Sequence, residues 1–388
     1  MSARSISLSI LISILPFVTG CNIAGIPLSP VSPSTPDPTP APAPAPAPAP
    51  VPAAAPNPAP APTSHFAFVA NLLSNNISVY AVDPKTGQLT LKATEPTGGT
   101  NSRVIAVEPT GRFAYIGNIV SNNITVFAID GNTGNLAMVG SPIPTATAPQ
   151  FIAIGPAGNI LYVLSRDSNR ITGFSIDTNT GALTALSDFV STDERPVALS
   201  FHPSGQLMYV ANADSSDITV YAVDSTGALG LLGAVPARTN PVAIAIHPSG
   251  NFAYVANFGS NDITAFSINS ATRTFTPLGP PVPTANGPTS ITVDSHGRFA
   301  YVTNAIGGQV SVFAIDATSG ALALASTASA GTNPVALALD ASGRFAYVAN
   351  QGSDSVTTFT VDSTTGALAP GGPPVDAGTG PVWTVLVK

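Results

Sequence analysis

From residue 65 onward the chain is written in short runs that alternate large apolar residues with small or polar ones, and the runs recur. "RFAYVAN" stands at 344–350, "NFAYVAN" at 251–257, "RFAYVTN" at 298–304 and "RFAYIGN" at 112–118. Aligned on this phrase, seven units begin at His65, Arg112, Asn159, Gln206, Asn251, Arg298 and Arg344, a period of about 46 residues. Each unit continues in the same order. A polar turn such as "FGSND" follows, then a second alternating run such as "ITVFAID" at 124–130, then a tight turn on Asp and Gly such as "DGNTGNL". A weak run, often interrupted by Pro, leads to one that is apolar at nearly every position, such as "PVAIAI". Period-two runs bounded by Gly, Pro, Asn and Asp predict antiparallel strands. No segment sustains a helical period, so almost no helix is expected.

Four strands in each of seven such units predict an all-β, seven-bladed β-propeller with four antiparallel strands per blade. The near-continuous apolar strand is expected innermost, buried on both faces. The Pro-broken strand is expected outermost, where a missing backbone donor is tolerated. The phase of the repeat predicts how the ring closes. The domain starts on a blade's second strand and ends on the innermost strand "PVWTVLV" at 381–387. That C-terminal strand should join the N-terminal strands within 66–95 in one composite blade and remove both open edges. Trp383, the sole tryptophan, reads as packing at this seam.

The residues before the repeats are of another kind. Arg4, the apolar run "ISLSILISILPFV" and "VTGC" at 18–21 resemble a bacterial lipoprotein signal, with residues 1–20 removed and Cys21 acylated. Cys21 is the only cysteine, so no intramolecular disulfide can form. Residues 21–64 then read as a linker. Its alternating Pro and Ala fix φ and remove donors, which favours an extended spacer. The organisation expected is therefore signal peptide 1–20, lipidated Cys and Pro/Ala-rich linker 21–64, and propeller 65–388. The expected location is the cell envelope, lipid-anchored, with Asn22 pointing to the outer membrane. The membrane is then a partner through the lipid on Cys21.

Charge narrows the function. Only 9% of residues are charged and the net charge is −7, which argues against nucleic acid and against electrostatic docking on anionic lipid. No Cys–His pairing, haem motif, glycine-rich phosphate loop or clustered carboxylate set is present, so no metal and no cofactor is expected. The asparagines that close the repeated strand (Asn71, Asn118, Asn212, Asn257, Asn304, Asn350, with Ser165 in the third unit) read as caps bonding the next turn. The third unit breaks the phrase. "ILYVLSRDSNRITGF" carries Arg166, Asp167 and Arg170, and "STDERP" adds Asp193, Glu194 and Arg195. With Arg103 these should share one face of neighbouring blades. The candidate ligand-binding set is Arg103, Arg166, Asp193, Glu194 and Arg195, suited to an anionic or sugar-like ligand. A solvated ion-pair patch is the blander explanation and ranks ahead of it.

Seven units with a "YVAN" or "YVTN" strand resemble the YVTN-repeat propellers and the related seven-bladed lactonases, which include 6-phosphogluconolactonase-like and muconate-cycloisomerase-like enzymes. The resemblance covers 65–388. It implies His, Arg and Glu at the mouth of a central channel, on inner strands resembling "PRHIAF". Here the position of that His holds Val104, Phe151, Ala198, Ala243, Ser290, Ala336 and Trp383, and the Arg survives only as Arg103. His202, His247 and His296 fall in or beside the turn after the inner strand, at the other end of the channel, and His65 precedes the first strand. The leading expectation is a monomeric, non-catalytic envelope module that binds an envelope protein, a glycan or a small anionic ligand, with no catalytic residue assigned. The alternative is a lactonase-like hydrolase, opening a sugar lactone at an altered site of Arg103, Glu194 and Arg195. A purely structural surface protein is the third.

Overall fold

The computed structural model describes residues 66–387. The expected signal segment 1–20, Cys21 and the linker 21–64 lie outside the described residues, as do His65 and Lys388. Every regular element among the described residues is a β-strand, and the strands form seven separate sheets. Numbered along the chain, blade 1 is the composite one. Its strand order from the outside is Leu89–Pro96, Asn76–Val82, Phe66–Asn71, Pro381–Val387. Phe66 faces Val387 and Asn71 faces Pro381, so the C-terminal strand closes the ring as the repeat phase requires.

The inner strands of blades 2 to 7 are Ser102–Val107, Pro149–Ile154, Pro196–Phe201, Pro241–Ile246, Pro288–Val293 and Pro334–Leu339. Contrary to the sequence expectation, they are not the most buried. Their residues are a mixture of buried and half-buried, whereas all seven second strands are buried at every position. The reason is geometric: the inner strand has a channel on its free side, while the second strand has protein on all sides. The outer strand also differs from expectation. Only blades 2, 5 and 7 split it, where "VGSPIP", "LGPPVP" and "GGPPVD" remove donors. In the other four blades it runs unbroken for 8 or 9 residues.

The repeated phrase is a latch between blades. The ring of Phe113 packs on Gly181 of the next blade, where any Cβ would overlap it. The Tyr115 hydroxyl donates to the carbonyl of the same glycine at 3.1 Å. Phe252 and Tyr254 treat Gly320 in the same way, and Phe345 and Tyr347 treat Gly87. These glycines sit at φ of about 70° (71, 74 and 70 for Gly87, Gly181 and Gly320), a region that costs any other residue strain. Each turn is held by its leading Asp. Asp83 Oδ1, for example, accepts from the backbone N–H of Lys85 and Thr86.

Candidate functional site

Second strands run toward one end of the channel and inner strands start there, so this end collects the loops that follow the repeated Asn and precede the inner Pro. Each inner strand is entered through a left-handed residue: Asn101, Ala148, Arg195, Asn240, Gly287, Asn333 and Gly380. A side chain 26 residues earlier holds several of these in place. Asn75 Oδ1 accepts from Asn101 N at 2.6 Å, Asn169 Oδ1 from Arg195 N at 3.0 Å and Asp354 Oδ1 from Gly380 N at 2.7 Å. Asn and Gly accept a positive φ at little cost. A long side chain does not, and Arg195 at φ 57° is therefore a strained residue at the channel mouth.

A cavity of about 490 Å³ occupies this end. Arg103, Gln150, Phe151, Arg195, Trp383 and Thr384 line it, together with valines, alanines and the Thr289–Ser290 pair. Arg103 is the centre of its electrostatics. With the Gln150 amide oriented so that its oxygen faces the guanidinium, Arg103 donates from Nε and Nη2 at 2.8 and 2.9 Å. Burial, with repulsion from Arg166 and Arg195, pushes Arg103 down to about 10, which leaves it charged at neutral pH. No carboxylate pairs with it among the described residues. The other two arginines are paired and half-exposed. Arg166 Nε meets Asp167 at 2.6 Å and Arg195 Nη1 meets Asp214 at 3.0 Å.

The structure thus brings Arg103 and Arg195 into one cavity and sets Arg166 near enough to act on Arg103. It places Asp193 and Glu194 outside the lining. Asp193 instead accepts from the Thr219 hydroxyl at 3.1 Å, in a cluster where Asn212 donates to Asp217 and Thr219. That burial, with Asp193 adding repulsion, raises Asp217 above the usual carboxylate range. Glu194 is exposed on the rim. Asn118 and its equivalents close the strand by side-chain bonds rather than the expected bond to the turn's backbone: Asn118 Nδ2 donates to the Asn123 and Thr125 side chains across the hairpin. The histidines serve the opposite end. His202 Nε2 donates to the Gly250 carbonyl at 3.0 Å and His247 Nε2 to Gly297 at 2.8 Å, each stapling its blade to the next.

Sequence reasoning missed Gln150, Phe151 and Thr384, and it treated Trp383 as filler. Trp383 does pack at the seam, against the apolar clusters between blades 1 and 2 and between blades 2 and 3. It also lines the cavity, edge-to-face with Phe151 at 5.2 Å. Gln150 was visible in one respect: it is the amide that follows Arg103 in the next unit's copy of the same position.

The family described as "Lactonase, 7-bladed beta-propeller" matches over residues 59–153, 144–245 and 243–385. No curated protein matches the sequence. Among solved structures, a Bacteroides fragilis NCTC 9343 protein provisionally assigned as a 6-phosphogluconolactonase superposes with a TM-score of 0.74 at 20% identity, covering 84% of this chain and 98% of that one. The Bacteroides uniformis ATCC 8492 protein with the same provisional assignment gives 0.74 at 17%, covering 83% and 99%. The periplasmic gluconolactonase of Pseudomonas aeruginosa gives 0.73 at 20%, covering 83% and 99%. At such identities these likenesses concern the fold.

Proposed function

The chain belongs to the lactonase family of seven-bladed β-propellers, and on that premise we propose that its channel mouth receives a small anionic ligand of the lactone or hydroxy-acid class. The observation that carries this reading is Arg103. A half-buried guanidinium with an amide partner and no carboxylate partner among the described residues is costly, and a ligand carboxylate or phosphate would supply what it lacks. A planar guanidinium suits both groups through paired N–H donors. Arg195, held at the rim in a strained conformation, offers a second cation on the same cavity. The test is calorimetric titration of the purified chain with a panel of carboxylates and phosphorylated sugars, repeated on Arg103→Gln. Binding that persists unchanged in Arg103→Gln would sink the assignment.

Family membership favours a second reading, hydrolysis of a lactone at this site. Two arginines would stabilise the oxyanion of a tetrahedral intermediate, and Glu194 would serve as the base that activates water. Binding ranks first because the cavity lining holds neither carboxylate nor imidazole among the described residues. Turnover of a sugar-lactone panel that disappears in Glu194→Gln would reverse this order. We also propose that Cys21 carries the lipid that tethers the domain in the cell envelope. Radiolabelled fatty acid should enter the native chain and not Cys21→Ala, and equal labelling of both would remove the anchor.

A further inference from the structure

We infer that the anion taken by this cavity has an apolar body, such as an aryl or alkyl carboxylate or its lactone, rather than a polyhydroxylated sugar acid. The inference rests on the anion-binding reading above and names the class of ligand that reading leaves open.

The cavity is two-sided. One side carries Arg103, Gln150 and Arg195. The remaining wall is built from the second residue of successive inner strands, and these are Val197, Val242, Thr289, Val335 and Val382, four valines in five positions. Val197, Val242 and Val335 are half-buried, with surface left to face the cavity. Phe151 and Trp383, also half-buried, add two aromatic rings set edge-to-face at 88°. A sugar ring can lie on such an aromatic, but its hydroxyls then need partners.

The hydroxyls on this wall are already committed. Thr289 Oγ1 donates to the Pro334 carbonyl at 3.0 Å, Ser290 Oγ bonds Thr303 Oγ1 at 2.7 Å, and Thr292 Oγ1 donates to the Leu337 carbonyl at 3.0 Å. Asn333 Nδ2 donates to Gln351 Oε1 at 2.9 Å. What is left for a ligand is the arginine side, the Asn240 amide at the rim, and the unused halves of the Asn333–Gln351 amide pair, Asn333 Oδ1 and Gln351 Nε2. The Thr384 hydroxyl oxygen also lacks a partner, but it is buried beneath the cavity surface. One anchored charge, a few amide groups and a wall of valine and aromatic surface match an anion with an apolar body. A polyol placed here would strand most of its hydroxyls against valine, each an unmade hydrogen bond.

The experiment titrates the full chain with phenylacetate, D-gluconate and 6-phosphogluconate, at one ionic strength, by calorimetry. Phenylacetate should bind at least about tenfold more tightly than gluconate, the scale at which a site rejects a group it cannot pair. Val242→Asn and Val335→Asn, checked for an unchanged melting temperature, should weaken phenylacetate and narrow the gap. Tighter binding of gluconate or 6-phosphogluconate would overturn the apolar body and leave the anion site standing. Binding of phenylacetate that ignores both valine variants would also overturn it. Binding of none of the three would overturn the anion site and this inference together.

Discussion

The hydroxyl of Tyr347 donates to the carbonyl of Gly87 at 2.9 Å, across 260 positions of sequence. Blade 7 is thereby latched to blade 1 by the same contact that joins Tyr115 to Gly181, Tyr162 to Gly227 and Tyr254 to Gly320. The ring is closed twice, once by the C-terminal strand and once by this latch.

Removing the latch hydroxyl in Tyr347→Phe should lower stability by about 1 kcal/mol, the net worth of one buried hydrogen bond. Gly87→Ala should cost more, roughly 2 kcal/mol or above, because it adds a strained positive φ to an overlap with the Phe345 ring. Chemical denaturation of both variants checks the order. Equal losses would mean that the glycine serves only the hydroxyl contact.

Arg103→Met should separate binding from stability. Anion affinity should fall by at least about tenfold, while stability should stay level or rise by up to roughly 2 kcal/mol, since an uncompensated buried charge is removed. Calorimetry and a melting curve on one preparation read both effects. A strong loss of stability would show that Arg103 is structural.

Arg195→Gly should relieve backbone strain by about 1 kcal/mol and weaken anion binding. The Asp214 pair it breaks is half-exposed and contributes little to set against that gain. A variant that is less stable than the parent would count against the strain.

Alkaline pH should unfold the domain steeply. All eight tyrosines are raised above their usual 10, Tyr80 and Tyr162 to about 12 and the others further, by burial in the latches and hairpins. A raised folded-state value means that the native protein holds protons the unfolded chain releases. The contribution is complete below pH about 10 and is lost as pH rises through the folded values. Urea midpoints across the alkaline range should be flat up to about pH 9 and then fall. A flat profile up to about pH 12 would contradict the burial of these hydroxyls.

The ring was legible in the residues because each unit repeats its own local instructions. Alternation places Phe and Tyr of "RFAYVAN" on a buried strand, Asp and Gly define the hairpin turn, and the phase of the first and last units requires the composite blade. The latch itself was not legible. That Tyr347 reaches Gly87 depends on the angle between neighbouring sheets, which no single unit encodes. The arginine cluster was half legible. Arg166, Asp193, Glu194 and Arg195 stood out as exceptions to the repeat, yet only Arg195 of these joins Arg103 on the cavity. Asp193 turns instead to Thr219.

What the sequence determined alone is the number of blades, their strand order and the turn chemistry, because these follow from spacing, alternation and the φ that Gly, Asn and Pro permit. What only the tertiary structure decided is the site. Arg103, Gln150, Phe151 and Trp383 meet because three inner strands, up to 280 residues apart in the chain (Arg103 to Trp383), converge on one channel. Which polar groups there stay free is decided by hydrogen bonds within and between blades, and those leave Arg103 open while consuming the hydroxyls of Thr289, Ser290 and Thr292.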